Sequence, residues 1–172
     1  MPSAAPTPPK PPRVLCGGRL TAPRDLAKAE LDSAAASGEV DGADQLAVNG
    51  KWTWVNLWAA WCVPCKEEIP RLVGWQKKLN EAGTPFALSF LSLDDDERQL
   101  RKFLKSQPAD GLQSTHWLKD PDDRDKWLDE VGVGADPSLP VHLILDPRGK
   151  LRCIIDGAVE DGDYDQVAKL LK

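Results

Sequence analysis

The chain has 172 residues, which is enough for one globular domain with a sizeable core and short for two. Hydrophobic residues make up 41% and charged residues 28%, as in ordinary soluble proteins, and the net charge is -5 without a long basic run. We therefore expect no nucleic-acid partner, and no stretch approaches the roughly 20 apolar residues of a membrane-spanning helix.

Residues 1–13 are predicted to be a proline-rich tail or linker, because six of the eleven residues from Pro2 to Pro12 are proline. Such a segment cannot join a helix or a central strand and favours extended polyproline II. Met1 leads into it without the apolar stretch of a signal peptide, so the sequence belongs either to a cytosolic protein or to a trimmed piece of a longer one. The segment resembles a stalk that holds a domain off a membrane, which favours the trimmed piece; a disordered tail without a role is the alternative.

Residues 14–172 are predicted to form the domain, in which strands and helices alternate. The first helix is expected to begin near Thr21 and Pro23 and to be capped by Gly38. In chain order the elements are a helix over 21–37, a loop over 41–49, a strand over 52–59, a helix over 62–80, a strand over 86–93, a helix over 97–105, a short strand over 114–118, a helix over 120–131, strands over 141–145 and 151–155, and a helix over 164–171. This alternation indicates an α/β fold with a mostly parallel sheet, helices on both faces and an antiparallel hairpin at one edge.

Cys62 and Cys65 form a C-x-x-C pair between a buried strand and the start of a helix. A structural zinc site needs four ligands, and the other cysteines and the two histidines are isolated in sequence, so we predict no metal and no cofactor. At a helix N-terminus the free N–H groups and the dipole stabilise a thiolate, which is the attacking species. We expect Cys62, at an exposed mouth, to attack a substrate disulfide, and the more buried Cys65 to resolve the mixed disulfide.

The sequence around this pair resembles the thioredoxin superfamily, and most of all its extracytoplasmic TlpA/ResA branch. The residues that carry the resemblance are Val55-Asn56-Leu57-Trp58, Trp61-Cys62-Val63-Pro64-Cys65-Lys66, Glu68, Pro70 and Leu139-Pro140. The resemblance implies a thioredoxin fold, with a central mixed sheet, an extra N-terminal segment and an inserted strand–helix unit. It also implies protein thiols and disulfides as substrates, a periplasmic or otherwise extracytoplasmic location, a membrane electron donor of the thiol-reducing kind, and a membrane tether in the full-length protein.

The resemblance also implies a substrate-binding surface beside the dithiol. Leu139-Pro140 corresponds to the cis-proline loop of the family, which would leave the backbone of Leu139 free to pair with an extended substrate segment. Trp61, together with Val63 and Pro64 between the cysteines, would belong to the same apolar docking surface.

Glu68 matches a glutamate that the TlpA/ResA branch carries three residues after the second cysteine. Cys65 and Glu68 share a helix face, so a partly buried carboxylate there would take the proton from Cys65 during resolution. The alternative is that Glu67 and Glu68 are first-turn acids favoured by the helix dipole. We interpret His116 and His142 as ordinary strand residues without a role.

Two further expectations concern cysteine and aspartate residues elsewhere. Since the motif claims two of the four cysteines, we predict a structural disulfide between Cys16 and Cys153, with two unpaired thiols as the alternative. The run from Asp94 to Asp96 is interpreted as a helix cap and not as a metal site.

The leading hypothesis is therefore an enzyme, a thiol:disulfide oxidoreductase that reduces protein disulfides outside the cytoplasm. In the family such a reductase serves the maturation of cytochrome c or of a copper-containing cytochrome oxidase subunit. The alternatives are a disulfide-forming oxidase and a copper-carrying dithiol protein. A peroxiredoxin is disfavoured, because the dithiol explains the motif without a peroxidatic site. The reduction potential of the pair separates a reductase from an oxidase.

Overall fold

A computed structural model describes residues 4–6, 13–36 and 46–172. Most of the predicted tail over 1–13 and most of the predicted loop over 41–49 lie outside these residues. Within them the strands are β1 (Asp32–Ala35), β2 (Trp52–Trp58), β3 (Phe86–Ser92), β4 (Ser114–Trp117), β5 (Val141–Leu145) and β6 (Leu151–Asp156). The α-helices are α1 (Val63–Glu81), α2 (Glu97–Ser106), α3 (Pro121–Val131) and α4 (Tyr164–Leu170), and short 3-10 turns lie at Leu15–Gly18 and Asp161–Asp163.

The described strands form one six-stranded sheet in the order β1-β4-β3-β2-β5-β6. Strands β2, β3 and β4 are parallel to one another, whereas β5 is antiparallel to β2, β6 to β5 and β1 to β4. This arrangement confirms the predicted α/β class, the mixed sheet and the antiparallel hairpin at one edge. The prediction of a mostly parallel sheet is wrong, because three of the five pairings between the described strands are antiparallel. Because β2 lies between β3 and β5, the loop that follows it emerges from the middle of the sheet.

Helices cover both faces of the sheet, and the alternation of side chains along β2 separates the two faces. Trp54 and Trp58 pack in apolar clusters with side chains of α1, α2 and α4. Val55 and Leu57 point the other way, into a cluster with α3. All four of these side chains are completely buried. Burial on both faces explains why β2 reads as a continuous apolar run.

The predicted helix over 21–37 is wrong. Residues 19–31 contain no helix, and Asp32–Ala35 form the edge strand β1, which pairs with β4. Arg24 makes an isolated antiparallel bridge with Leu151, and Leu26 and Leu31 pack against the cluster around α3. An extended segment can reach both β6 and α3, and these tertiary contacts override the helix propensity of an Ala-rich stretch with a thin apolar stripe. The predicted cap, Gly38, lies outside the described residues.

Candidate active site

The dithiol lies between the end of the central strand β2 and the start of α1. Cys62 is the N-cap of α1, and its Sγ accepts a hydrogen bond from the backbone N–H of Cys65 at 3.3 Å. Pro64 occupies the first turn, where its missing N–H leaves no hydrogen bond unmade. The two cysteines are joined as a disulfide with a Cα–Cα distance of 5.3 Å. The sulfur of Cys62 therefore lies against the free N–H groups of a helix start, the setting that stabilises a thiolate.

The burial of the two cysteines corrects one expectation. Cys62 is 4% exposed and Cys65 is 0% exposed, so the predicted exposed mouth at Cys62 is wrong for this oxidised form. Both cysteines lie in the apolar cluster that Trp58 and Leu100 share. The neighbouring Trp61 is instead the exposed residue, with 55% of its surface accessible to solvent.

The predicted substrate-binding residues surround the dithiol. Trp61, Val63 and Pro64 are exposed, with Val63 at 57%. The Leu139–Pro140 peptide bond is cis, as the resemblance implied. Leu139 is partly buried and packs against the cluster that contains both active-site cysteines. The structure thus brings a loop that is far away in sequence next to the C-x-x-C pair.

Glu68 lies one turn beyond Cys65 on α1 and is 0% exposed. Its Oε1 accepts a hydrogen bond from Nδ2 of Asn56 at 2.8 Å, and its Oε2 accepts the backbone N–H of Val159 at 3.0 Å. No acidic residue lies in the first turn of α1, which begins at Val63, so the alternative of first-turn acids does not hold for Glu67 or Glu68. Glu68 is completely buried, whereas Glu67 is exposed. A buried carboxylate held by N–H donors on one helix face with Cys65 is a candidate proton acceptor.

His142 is a site residue that the sequence reasoning missed. Its side chain is 0% exposed, and Nε2 lies 3.3 Å from Oε1 of Glu68. The Nε1–H group of Trp54 donates to Nδ1 of the same ring at 2.8 Å. In the antiparallel pairing of β2 and β5, His142 stands opposite Asn56, and this pairing is the signal that would have placed it beside Glu68. No spacing within a single segment carries that information.

Asp94 is the second residue that the sequence reasoning placed wrongly. Asp96 does cap α2, through its carboxylate and the N–H of Arg98 at 2.9 Å. Asp94 instead is completely buried, and both of its carboxylate oxygens accept the backbone N–H of Ala60 at 3.0 Å. Ser92 Oγ donates to it at 2.6 Å. Burial raises the pKa of Asp94 above its ordinary value, against the effect of these hydrogen bonds. Asp94 thereby ties the end of β3 to the loop that carries the dithiol.

A second disulfide joins Cys16 to Cys153, with a Cα–Cα distance of 5.8 Å. Cys153 lies on β6 and is 5% exposed, and Cys16 lies in the 3-10 turn that precedes the extended N-terminal segment. This bond sits in the cluster around Trp54, apart from the cluster of the dithiol.

The described residues hold no metal site and no membrane-spanning helix. Over 4–6, 13–36 and 46–172, no group of three or more His, Cys, Asp and Glu side chains is placed to hold a metal ion. None of the helices in these ranges has the length and apolar character needed to cross a membrane.

Comparison with known proteins places the chain among thioredoxin-like proteins. A family model described as the AhpC/TSA family matches residues 24–154. The "Thioredoxin-like protein YneN" of Bacillus subtilis is 30% identical over 120 residues, which cover 68% of this chain and 63% of YneN. The "Thiol-disulfide oxidoreductase ResA" of the same organism is 25% identical over 126 residues, which cover 73% of this chain and 64% of ResA. The chain thus spans less than two thirds of the length of these relatives.

Solved structures show the same fold. The thioredoxin domain of a thiol-disulfide oxidoreductase from Bacteroides vulgatus superposes with a TM-score of 0.58 at 20% identity, covering 86% of this chain and 100% of that one. StoA from Bacillus subtilis superposes with a TM-score of 0.57 at 17% identity, covering 87% of this chain and 100% of StoA. The predicted thioredoxin fold is confirmed by these similarities.

Proposed function

This chain belongs to the AhpC/TSA family, and on that premise we propose that it is a thiol:disulfide oxidoreductase whose reacting pair is Cys62 and Cys65. One observation carries the proposal: the pair forms a disulfide at the N-terminus of α1, where Cys62 Sγ accepts the N–H of Cys65. The same hydrogen bond and the helix dipole would stabilise the thiolate of Cys62 in the reduced protein. The names of YneN and ResA support this chemistry for relatives of the chain.

The proposed reaction is a two-step exchange that moves two electrons from the dithiol to the substrate. In the first step the Cys62 thiolate attacks a substrate disulfide, a mixed disulfide forms, and the first substrate sulfur leaves as a thiolate that takes up a proton. In the second step Cys65 loses its proton and attacks Cys62, so that the internal disulfide forms and the second substrate thiolate leaves. A separate thiol-reducing donor then returns the pair to the dithiol.

Glu68 is proposed to take the proton of Cys65 in the second step. Both side chains are completely buried, so bulk water does not reach the thiol, and Glu68 follows Cys65 by three residues on one helix face. An ionised carboxylate only accepts hydrogen bonds, which suits it to receive this proton.

The exposed apolar side chains Trp61, Val63 and Pro64 are proposed to dock a protein substrate beside Cys62. The backbone at Leu139, before the cis bond to Pro140, is proposed to pair with an extended segment of that substrate. This surface favours protein thiols and disulfides over small molecules.

We further propose that the protein works as a reductase outside the cytoplasm. The second disulfide, Cys16–Cys153, supports that location, because such bonds persist in oxidising compartments. Residues 1–13 are proposed to link the domain to a membrane tether, and a membrane thiol donor is proposed to reduce the pair. Thiols handled during cytochrome c or cytochrome oxidase maturation are the proposed substrates, from the resemblance to the TlpA/ResA branch.

The proposal is tested by the reduction of insulin with dithiothreitol, with and without the protein. We expect the protein to accelerate the reaction, and the matched control is the double variant Cys62→Ser with Cys65→Ser. Cys65→Ser is expected to trap a mixed disulfide with a substrate, whereas Cys62→Ser is not. A wild-type rate no higher than that of the double variant would refute the function. A reduction potential near the roughly -270 mV of thioredoxin supports a reductase, and one near the roughly -120 mV of DsbA an oxidase.

A further inference from the structure

We propose that His142 is a positioning residue for the exchange reaction and acts through Glu68 on the proton transfer at Cys65. The proposal rests on the proposed function and on the role of Glu68 within it. It concerns the second step alone, in which Cys65 loses a proton and displaces the substrate from Cys62.

The position of His142 follows from the register of the sheet. His142 on β5 stands opposite Asn56 on β2, and Trp54 projects from the same face of β2 as Asn56 because side chains alternate along a strand. That face lies under α1, which carries Cys65 and Glu68. His142, Asn56 and Glu68 are each 0% exposed, so their polar atoms are shielded from bulk water.

The contact with Trp54 decides which nitrogen of His142 carries the hydrogen. The Nε1–H of an indole only donates, and it lies 2.8 Å from Nδ1 of His142, so Nδ1 must accept. The two rings meet edge to face with centroids 5.2 Å apart, which holds the imidazole in this orientation. The neutral ring therefore carries its hydrogen on Nε2.

The Nε2 atom of His142 lies close to the carboxylate of Glu68. It lies 3.3 Å from Oε1 of Glu68, and Nε2 has no hydrogen-bond partner of its own within the described residues. Glu68 already accepts N–H groups from Asn56 and from the backbone of Val159. An N–H group this close to the carboxylate can align with it as the proton of Cys65 arrives, because catalytic hydrogen bonds are often poorly aligned in the free protein and tighten in the complex. His142 is thus placed to hold Glu68 in position while Glu68 acts as the base.

Few other charges face Glu68 from the elements packed around it. Strand β2 carries no titratable group, and β5 carries His142 itself. On α1, Arg71 binds the carbonyl of Val159 at 2.7 Å and pairs with Asp161 at 2.7 Å. The loop after β6 carries, besides Asp161, the acids Glu160 and Asp163. The charge of Arg71 is therefore engaged by Asp161. Among the described residues, His142 is a titratable side chain that lies within 3.3 Å of Glu68.

Two amide variants distinguish the role of Nε2 of His142, beside Glu68, from the role of Nδ1, beside Trp54. The glutamine side chain introduced by His142→Gln, written H142Q, can place an N–H group near the position of Nε2, beside Glu68. The shorter asparagine of His142→Asn, written H142N, places its amide near the position of Nδ1, where it can accept from Trp54 but does not reach Glu68. If His142 acts through Glu68, H142Q preserves the reaction and H142N impairs it; if His142 only satisfies Trp54, the order is reversed.

The assay follows the reaction of protein reduced at Cys62 and Cys65 with dithiobis-nitrobenzoate. The first thionitrobenzoate is released when Cys62 attacks the reagent, and the second when Cys65 attacks Cys62 and the internal disulfide forms. In H142N we expect an unchanged first phase, and a second phase that is slower and whose pH profile differs from that of the wild type. H142Q restores the wild-type profile.

The outcomes distinguish this proposal from the proposed function. Absence of the first phase in the wild type would refute the exchange activity itself. A wild-type second phase in H142N would overturn the role of His142, and so would an equal effect of H142N in a Glu68→Gln background. The tautomer of His142 can be measured on the unaltered protein, so this test does not depend on the folding of a variant. The chain has two histidines, and the ¹⁵N signals of His142 are assigned by their loss in H142Q. We expect these signals to show the Nε2–H tautomer. The Nδ1–H tautomer would overturn the proposal.

Discussion

The disulfide between Cys16 and Cys153 is predicted to contribute a large part of the stability of the protein. Cys16→Ala opens a loop whose ends are 137 residues apart. For a loop of that length the chain-entropy treatment gives about 5 kcal/mol, and removal of a native disulfide from a small domain costs about 2–5 kcal/mol in practice. The lower half of that range applies if the unfolded chain keeps residual structure.

Hydrogen bonds that remain in Cys16→Ala indicate whether the lost disulfide destabilises the folded state or stabilises the unfolded chain. Arg13 binds the carbonyl of Ala158 at 2.7 Å, and Thr21 donates to the carbonyl of Arg152 from both its backbone and its hydroxyl. The N-terminal segment therefore stays docked on β6 in the folded state. The loss acts mainly through the unfolded chain, which becomes less compact, so the dependence of stability on denaturant should become steeper.

The assay is equilibrium unfolding in urea under non-reducing conditions. With a slope of about 2 kcal/mol per molar, a loss of about 2–5 kcal/mol should lower the midpoint of Cys16→Ala by roughly 1–2.5 M. The double variant with Cys153→Ala should lose little more than Cys16→Ala alone, because either substitution breaks the same bond. An unchanged midpoint, or free thiols at both positions in a non-reduced digest of protein purified under oxidising conditions, would refute the reasoning.

Asp94 and two glycines give further predictions. Because burial raises the pKa of Asp94, the folded state binds the proton of this carboxyl group more tightly than the unfolded state does. The stability that this proton contributes is complete below the ordinary pKa of 3.8 and is lost as the pH rises through the raised pKa. The free energy of unfolding of the wild type should therefore fall relative to Asp94→Asn over that pH range, and urea unfolding at a series of pH values checks this; a constant difference would contradict it. Gly132→Ala should destabilise by about 1–2 kcal/mol, because Gly132 caps α3 at φ 98° and a Cβ there would lie 3.2 Å from Nη2 of Arg24. Gly74→Ala, within α1 with open space around it, should stabilise by about 0.5–1 kcal/mol, and thermal unfolding of the pair should show opposite signs.

The local pattern of the sequence was enough for most elements and for the dithiol. The buried strand β2 reads as an apolar run because both of its faces are covered. The sequence also predicts that α3 ends near Val131, and the helix does end at that residue. Asp120 marks the start of α3, where its carboxylate accepts the N–H groups of Asp122 and Asp123. Caps, turns and the C-x-x-C spacing are properties of a few consecutive residues, so they can be read without the fold.

Only the tertiary structure decided the N-terminal segment and the surroundings of Glu68. The stretch after Thr21 has helix-forming residues, but its partners Leu151 and Trp117 are more than 80 positions away along the chain, and an extended backbone is what reaches them. The environment of Glu68 likewise depends on β2 lying beside β5, which sets His142 opposite Asn56. Local propensity determines what a segment can form, whereas the burial and pairing of distant residues determine which of those possibilities lowers the free energy of the whole chain.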